Sequence, residues 1–264
     1  MSELIKSVEN GVALLTLNRP DTLNALNVSL HHELKEALFE IEADRHIGCV
    51  VLTGAGRGFC SGGDLNAIKA RDEGASGGDP NSPNERKAGS GGGVMGRMHM
   101  VREHTIASRL LHNMGKPTIA MINGACAGAG LSLAGACDLR FAGRKAVFLS
   151  AFTGIGLSGD GGGSWFWTQI LGTSKARELY LLNEKYDAER ALQFGLVNRL
   201  FDDETLHEQT MAIATRIAGG QRPAYELAKN VLNAAEDGSF ESVLDREALA
   251  MALVSAARRP KRPE

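Results

Sequence analysis

Apolar residues in the first two thirds of the chain occur in short runs of strand length. Val12 to Leu17 and Ile47 to Thr53 are two such runs, and between them Ser29 to Ile41 carries apolar residues at helical spacing with charges interposed. Further strands are predicted at Thr118 to Ile122 and Ala146 to Ala151, and three of the four strands lead into glycine-rich turns. This alternation indicates an α/β domain with a largely parallel sheet and a ligand site where the strands end in these turns.

The pattern becomes helical after about residue 185. Asp187 is a suitable N-cap for a helix at Ala188 to Phe194, and Gly195 is a suitable C-terminal stop. We therefore divide the chain into a core domain, residues 1–195, and a C-terminal helical region, residues 196–264, which packs on its own sheet or on a neighbouring subunit. The amphipathic helices predicted there are Thr205 to Ala218, Ala224 to Ala235 and Phe240 to Ala257.

The stretch from Arg71 to Gly96 is rich in Gly, Ser, Pro, Asn and charged residues and has little to bury. We expect it to be mobile. It is either a surface insertion, which costs little entropy, or a lid over an active site.

Composition and charge exclude several classes of protein. The 264 residues are 43% hydrophobic and 23% charged, and the formal net charge of −2 gives no basic field for nucleic acid. No apolar run reaches the ~18 residues of a membrane span, and Met1 to Asn10 lacks a signal-peptide pattern, so we expect a cytoplasmic protein. The four cysteines form no CxxC pair and the histidines have no zinc-ligand spacing, so we expect no metal.

Common nucleotide and hydrolase motifs are weak or absent. Gly154 to Gly159 matches GxGxxG, but it occurs in the fourth unit, and no convincing acidic residue ends a following strand. The serine-hydrolase pattern GxSxG and the phosphate-binding pattern GxxxxGK[ST] are missing.

A set of segments in a fixed order is more specific. They are Asn18-Arg19-Pro20, Leu23-Asn24-Ala25-Leu26, Val51 to Leu65, Lys116-Pro117, Ile122 to Gly130, Cys137-Asp138 and Phe194-Gly195-Leu196-Val197-Asn198. In this order they resemble the enoyl-CoA hydratase/isomerase (crotonase) family over about residues 4 to 250. The resemblance implies a crotonase-like spiral of ββα units whose C-terminal helices build a homotrimer or a dimer of trimers. It also implies an acyl-CoA substrate and no cofactor besides the coenzyme A of that substrate.

The family stabilises an enolate-like oxyanion with two backbone N–H groups. By resemblance these are the N–H groups of Ser61 and Ala129. Gly62 and Gly63 allow close approach of a ligand to the backbone, and Asp64 can hold the turn by accepting backbone N–H bonds. Ala129 falls where a helix should begin, which directs its N–H outward at the positive end of the helix dipole.

The chain departs from the family at the two glutamates that activate water in hydratases. Ser132 and Phe152 occupy the matching positions, and neither is a strong base, so ordinary hydration is in doubt. Asp160 lies in the fourth glycine turn, where some family members place a working aspartate. It could move protons or act as a nucleophile, or it could merely form an Asx turn or cap a helix.

Substrate contacts are expected along the loops that carry these motifs. Lys69 and Arg71 are candidates to meet the CoA phosphates; near the C-terminus Lys261 or Arg262 could do so, unless that end is simply a solvated basic tail. Trp165 could line an acyl pocket, although core packing is its alternative use. The predicted substrate-binding residues are Arg19, Ala25, Gly62, Gly63, Asp64, Leu65, Gly128, Ser132, Phe152 and Trp165.

The expected reaction is isomerisation, or hydration and dehydration, of an unsaturated acyl-CoA. A rival within enzymes is acyl-CoA hydrolysis or carbon–halogen cleavage with Asp160 as nucleophile. A rival of another class is a non-catalytic relative that binds acyl-CoA or RNA, and the near-neutral charge argues against RNA.

Overall fold

The computed structural model of the protein describes residues 2–64 and 93–257. Its strands are β1 (Leu4–Glu9), β2 (Val12–Leu17), β3 (Cys49–Gly54), β4 (Gly58–Cys60), β5 (Thr118–Ile122), β6 (Ala125–Ala127), β7 (Leu139–Gly143), β8 (Val147–Leu149), β9 (Tyr186–Asp187) and β10 (Arg199–Phe201). Its helices are α1 (Val28–Ala43), α2 (Val94–His104), α3 (Ile106–Asn113), α4 (Ala129–Ala136), α5 (Gly163–Leu181), α6 (Ala188–Phe194), α7 (Leu206–Ala218), α8 (Arg222–Ala235) and α9 (Phe240–Ala257).

The strands form two sheets. The larger has the order β1-β2-β3-β5-β7-β10, and all its pairs except β1–β2 are parallel. Its central strands β3 and β5 are buried along their whole length, as their continuous apolar runs require when helices cover both faces. The predicted α/β class with a largely parallel sheet is confirmed.

The second, smaller sheet has the strand order β4-β6-β8-β9. The strands β4 and β6 follow β3 and β5 directly, inside segments that the sequence predicted as glycine turns. Each central strand of the large sheet is thus followed by a strand of the small one. This succession of two strands is the ββ part of the expected ββα spiral. It places the turns that lead from one sheet to the other next to one another.

Two helix starts illustrate how local sequence sets these elements. The side chain of Asn27 accepts a hydrogen bond from Leu30 N at 2.8 Å and caps α1, and Asp187 accepts one from Arg190 N at 2.8 Å and caps α6. Gly195 ends α6 with φ 98°, a left-handed conformation that glycine adopts without strain. The predicted cap and stop of α6 are both confirmed.

The structure carries the core past residue 195. The strand β10 pairs with β7 in the large sheet, and α7 packs on β2, β3, β5 and β7 through Leu206, Ala214 and Ala218. Among the described helices, α8 and α9 pack mainly on each other, and α8 begins at Arg222. The division of the chain at residue 195 stays a prediction.

Candidate active site

A buried asparagine organises the first loop of the site. Asn24 is fully buried with φ 59°, and its Oδ1 accepts a hydrogen bond from Arg19 N at 2.9 Å. Its Nδ2 donates to Gly58 O at 2.7 Å and to Ala55 O at 3.0 Å. Because every polar atom of this amide is used within the protein, the loop is locked to the connection between β3 and β4.

Arg19 braces this loop. Its Nη2 lies 2.9 Å from the Asp64 carboxylate and its Nε 3.1 Å from that of Glu3, and Nη1 donates to Ala25 O. Two carboxylates therefore offset the guanidinium charge that was expected to bind substrate. This ion pair joins the turn of Asp64 to Arg19. The bonds from backbone N–H groups that the sequence suggested for Asp64 stay a prediction.

The hydrogen bonds of the next turn revise the first predicted oxyanion donor. Ser61 N donates to Leu23 O at 2.9 Å, so this N–H is occupied, which contradicts its prediction as a donor to substrate. Gly63 forms a parallel bridge with Leu26, in which Leu26 N bonds Gly62 O and Asp64 N bonds Leu26 O. Such a bridge directs the N–H of Gly63 itself to the opposite side. Within the described residues no hydrogen bond uses it.

Ala129 begins α4, as predicted. Gly128 precedes it with φ 52° and ψ −125°, and Gly128 O accepts the bond from Ser132 N that closes the first turn. The Ala129 N–H has no acceptor inside its helix and lies at the positive end of the dipole. A Cβ on Gly62 would lie only 3.4 Å from Ala129 N, so the Gly62–Gly63 turn abuts the start of α4.

Asp160 lies in the glycine-rich turn before α5. Burial raises the pKa of its carboxyl group, and within the described part of the chain its Oδ1 is buried with no hydrogen-bond partner. The residue at the N-cap of α5 is Gly162, so Asp160 does not cap that helix. A buried carboxyl oxygen without a partner costs stability, which is typical of a functional group held ready for a ligand.

Ser132 and Phe152, the positions at which the resemblance led us to expect glutamates, lie with Tyr180 beside this turn and are uncharged. Ser132 Oγ donates to Asp160 O at 2.9 Å, and the hydroxyl of Tyr180, whose pKa burial raises to about 12, lies close to Ser132 beside Gly163. Phe152 stacks parallel to Tyr180 with ring centroids 6.2 Å apart. Tyr180 carries no motif and lies within α5, far along the chain from Ser132, so the sequence did not indicate it.

A narrow cleft joins these groups. Its lining includes Asp160 and Ala129 and also two histidines that the sequence did not single out as site residues, His31 from α1 and His104 from the end of α2. The full lining in the described part of the chain is Leu26, His31, His104, Ser108, Ala129, Leu133, Asp160 and Gly161. The cleft therefore combines a backbone donor, a buried carboxyl group and a pair of imidazoles.

Other predicted residues lie away from this lining or outside the described residues. Trp165 is 38% exposed and packs edge-on against His112 and Phe166, so packing is the use that the structure supports. Val94 to Gly96 begin α2, where the sequence predicted a loop. The predicted residues outside the described ranges are Leu65, Lys69, Arg71, Lys261 and Arg262, together with all but the end of the loop predicted at Arg71 to Gly96.

A larger cleft, of about 390 Å³, lies at the opposite edge of the large sheet. Gly48 and Pro117, which directly precede β3 and β5, are part of its lining, so it adjoins the amino ends of these strands. The backbone donors and Asp160 lie beyond the carboxyl ends of the strands. The smaller cleft is therefore the candidate active site.

No group of three or more His, Cys, Asp or Glu that could hold a metal occurs among residues 2–64 and 93–257. Over the same ranges, no helix has the length and apolar character needed to cross a membrane.

Comparisons with known proteins agree with this architecture. A sequence profile described as Enoyl-CoA hydratase/isomerase matches residues 12–256. The 1,2-epoxyphenylacetyl-CoA isomerase of Escherichia coli K12 is 37% identical over 247 residues, covering 94% of this chain and 88% of that protein. The 4-chlorobenzoyl coenzyme A dehalogenase-2 of an Arthrobacter species is 31% identical, covering 91% and 82%. The crystal structure of an enoyl-CoA hydratase from Polaromonas superposes with a TM-score of 0.81 at 30% identity, covering 95% and 90%.

Proposed function

Because the chain belongs to the enoyl-CoA hydratase/isomerase family, we propose that it binds an acyl-CoA thioester and moves a proton at the α-carbon, with Asp160 as the acid–base group. The observation that carries this proposal is the buried Oδ1 of Asp160, which has no hydrogen-bond partner among residues 2–64 and 93–257, in a carboxyl group that lines the same cleft as Ala129. A carboxyl group with a raised pKa is a stronger base once ionised, and it can return the proton when protonated.

The thioester oxygen is held by two backbone donors, the N–H groups of Gly63 and Ala129. The occupied Ser61 N–H and the orientation of the Leu26–Gly63 bridge support this pair. Both donors are fixed before substrate arrives, so they stabilise the negative charge that develops on the oxygen without reorganisation. One such donor contributes about 3 to 4 kcal/mol to the transition state.

Isomerisation of an unsaturated acyl-CoA suits this site better than hydration. Hydration in this family needs carboxylates that orient and activate water, and Ser132 and Phe152 at the matching positions are instead packed beneath the Asp160 turn. Proton transfer from one carbon to another needs no activated water. The names of two relatives refer to phenylacetyl and benzoyl thioesters, so the substrate range to test includes aromatic acyl groups.

Two measurements on the wild-type protein test this proposal. Calorimetric titration should show binding of phenylacetyl-CoA and none of phenylacetate, since the CoA part supplies the affinity. Incubation of phenylacetyl-CoA in D₂O should exchange the α-protons, observed by NMR. Equal affinity for acid and thioester, or tight binding of the thioester with no exchange, would contradict the proposal, and the second result would indicate a non-catalytic binding protein.

A second candidate function is carbon–halogen cleavage with Asp160 as nucleophile, which the similarity to the Arthrobacter dehalogenases favours. In that reaction Asp160 displaces halide from the ring and water then hydrolyses the aryl ester. Incubation with 4-chlorobenzoyl-CoA in H₂¹⁸O distinguishes the two roles. Chloride release with ¹⁸O incorporated into the Asp160 carboxylate would establish the nucleophile, whereas an acid–base Asp160 leaves the carboxylate unlabelled.

A further inference from the structure

Two histidines meet face to face in the cleft. His31 on α1 and His104 at the end of α2 have ring centroids 4.0 Å apart and ring planes inclined by only 6°. Both line the cleft that Asp160 and Ala129 line. Of the eight lining residues found in the described part of the chain, the two histidines and Asp160 are those with an acidic or basic side chain.

We propose that His104 is a second proton-transfer residue of this cleft, acting on the same substrate as Asp160, and that His31 is its positioning residue. This inference rests on the proposed proton transfer at the α-carbon. Ser132 and Phe152 cannot act as an acid or a base at neutral pH. The second proton-transfer group therefore comes from another side of the cleft. The imidazole pair forms that side, contributed by α1 and α2.

The two rings have different roles because their protonation differs. Burial, and secondarily the charge of His104, lower the pKa of His31 to about 3. His31 is therefore neutral at working pH, and a proton taken up by the pair resides on His104. Stacking against a neutral ring fixes the plane of the His104 imidazole without adding charge.

The charges around the pair allow this assignment. Asp160 lines the same cleft as the pair. The charged residues next in sequence on the same helices are Arg102 and Glu103 on α2 and Arg109 on α3, all exposed. One turn after His31 on α1, Lys35 has intermediate exposure and pairs with Glu36 at 3.4 Å.

In a 3-enoyl-CoA, Asp160 and His104 act on different carbons. Asp160 takes the proton from C2, and the electron pair delocalises over a dienolate whose oxygen accepts from Gly63 and Ala129. His104 donates its proton to C4, which places the double bond between C2 and C3. Proton exchange of Asp160 and His104 with solvent then restores the starting state.

The test separates the two proton transfers with trans-3-hexenoyl-CoA in D₂O. For His104→Gln we expect C2 exchange to stay within a few-fold of wild type, because a dienolate can be reprotonated at C2 by Asp160. Conversion to the 2-enoyl thioester should fall about 10² to 10⁴-fold, the usual contribution of an acid–base group. The limb of the pH–rate profile that reports His104 should disappear with it.

Two ring variants keep an aromatic ring in the stack, and only the one at residue 104 removes the proposed proton-transfer group. His31→Phe should keep the pH limb and lose far less conversion than His104→Phe, which should behave like His104→Gln. Unchanged conversion in both His104 variants, or an equal loss of exchange and conversion, would overturn the inference. So would a loss in His31→Phe as large as that in His104→Phe, since the stack would then be merely structural. Failure of the proposed function is distinct, because wild-type protein would then show no exchange.

Discussion

At the scale of single residues, the site owes its chemistry to side chains whose polar groups are left unused. Asn24 and Arg19 use their polar atoms within the protein and fix the loops. Asp160 is the opposite case, since burial raises its pKa and its Oδ1 has no partner among the described residues. The first group builds the site, and the second is available to a substrate.

The raised pKa of Asp160 predicts that its ionised carboxylate lowers the free energy of unfolding at pH 7. A carboxyl group that binds protons more tightly when folded loses stability as pH rises from its usual pKa through the raised one. Asp160→Asn, which is never ionised, should therefore increase the free energy of unfolding at pH 7. The gain over wild type should vanish below the usual pKa of aspartate. Urea unfolding across this pH range measures it, and a less stable variant at pH 7 would contradict the account.

Tyr180 supports Asp160 through Ser132 and should influence turnover without touching substrate. Tyr180→Phe removes the hydroxyl close to Ser132 but keeps the stacking on Phe152, so the Asp160 turn loses a polar neighbour of its Ser132 support. We expect kcat for trans-3-hexenoyl-CoA to fall about ten-fold with little change in KM, and the limb of the pH profile that reports Asp160 to shift. A change in KM alone would instead assign Tyr180 to substrate binding. Tyr225→Phe, on exposed α8, is the matched control.

At the scale of elements, the sequence predicted what depends on local pattern. The strands β2 and β5, the Asp187 cap and the last helix were placed correctly from periodicity and capping. The strands β4 and β6 are only three residues long, so no periodic pattern could reveal them. β4 begins with Gly58, and β6 lies between Gly124 and Gly128. The choice between the Ser61 and Gly63 donors depends on the register of a bridge to Leu26, which is a long-range contact. The His31–His104 stack likewise joins helices distant along the chain.

The attachment of α8 to the core depends on a buried lysine. Lys229 is 5% exposed, and its Nζ lies 2.8 Å from Asp138 and 2.9 Å from Leu111 O. Lys229→Met leaves the carboxylate without its counter-charge, so the free energy of unfolding should drop by about 3 kcal/mol in urea titration. Lys145→Met, at an exposed ion pair, should change it by less than about 1 kcal/mol. Equal effects would show that Lys229 does not anchor the helix.

At the scale of the whole molecule, the helical pair α8–α9 carries apolar side chains that the described part of the core leaves exposed. The helix α9 has no buried residue, packs mainly on α8 and exposes large apolar side chains. They include Phe240, Leu249, Met251 and Leu253. An exposed apolar patch of this kind indicates an interface.

We expect this surface to join identical chains into a trimer or a dimer of trimers. Light scattering at micromolar concentration should give three or six times the chain mass of 28.1 kDa. The double variant Leu249→Asp, Leu253→Asp should dissociate the assembly, and Lys185→Glu, away from α9, should not. A wild-type monomer would contradict the expectation.

The central claim, that Asp160 moves the α-proton of a bound thioester, is tested most directly by α-proton exchange in Asp160→Asn. Amide and carboxyl groups are nearly equal in size, so the variant should fold and bind phenylacetyl-CoA as wild type does. Its exchange in D₂O, followed by NMR, should fall about 10² to 10⁴-fold. Exchange at the wild-type rate in a folded, ligand-binding Asp160→Asn protein would show that another group takes the proton.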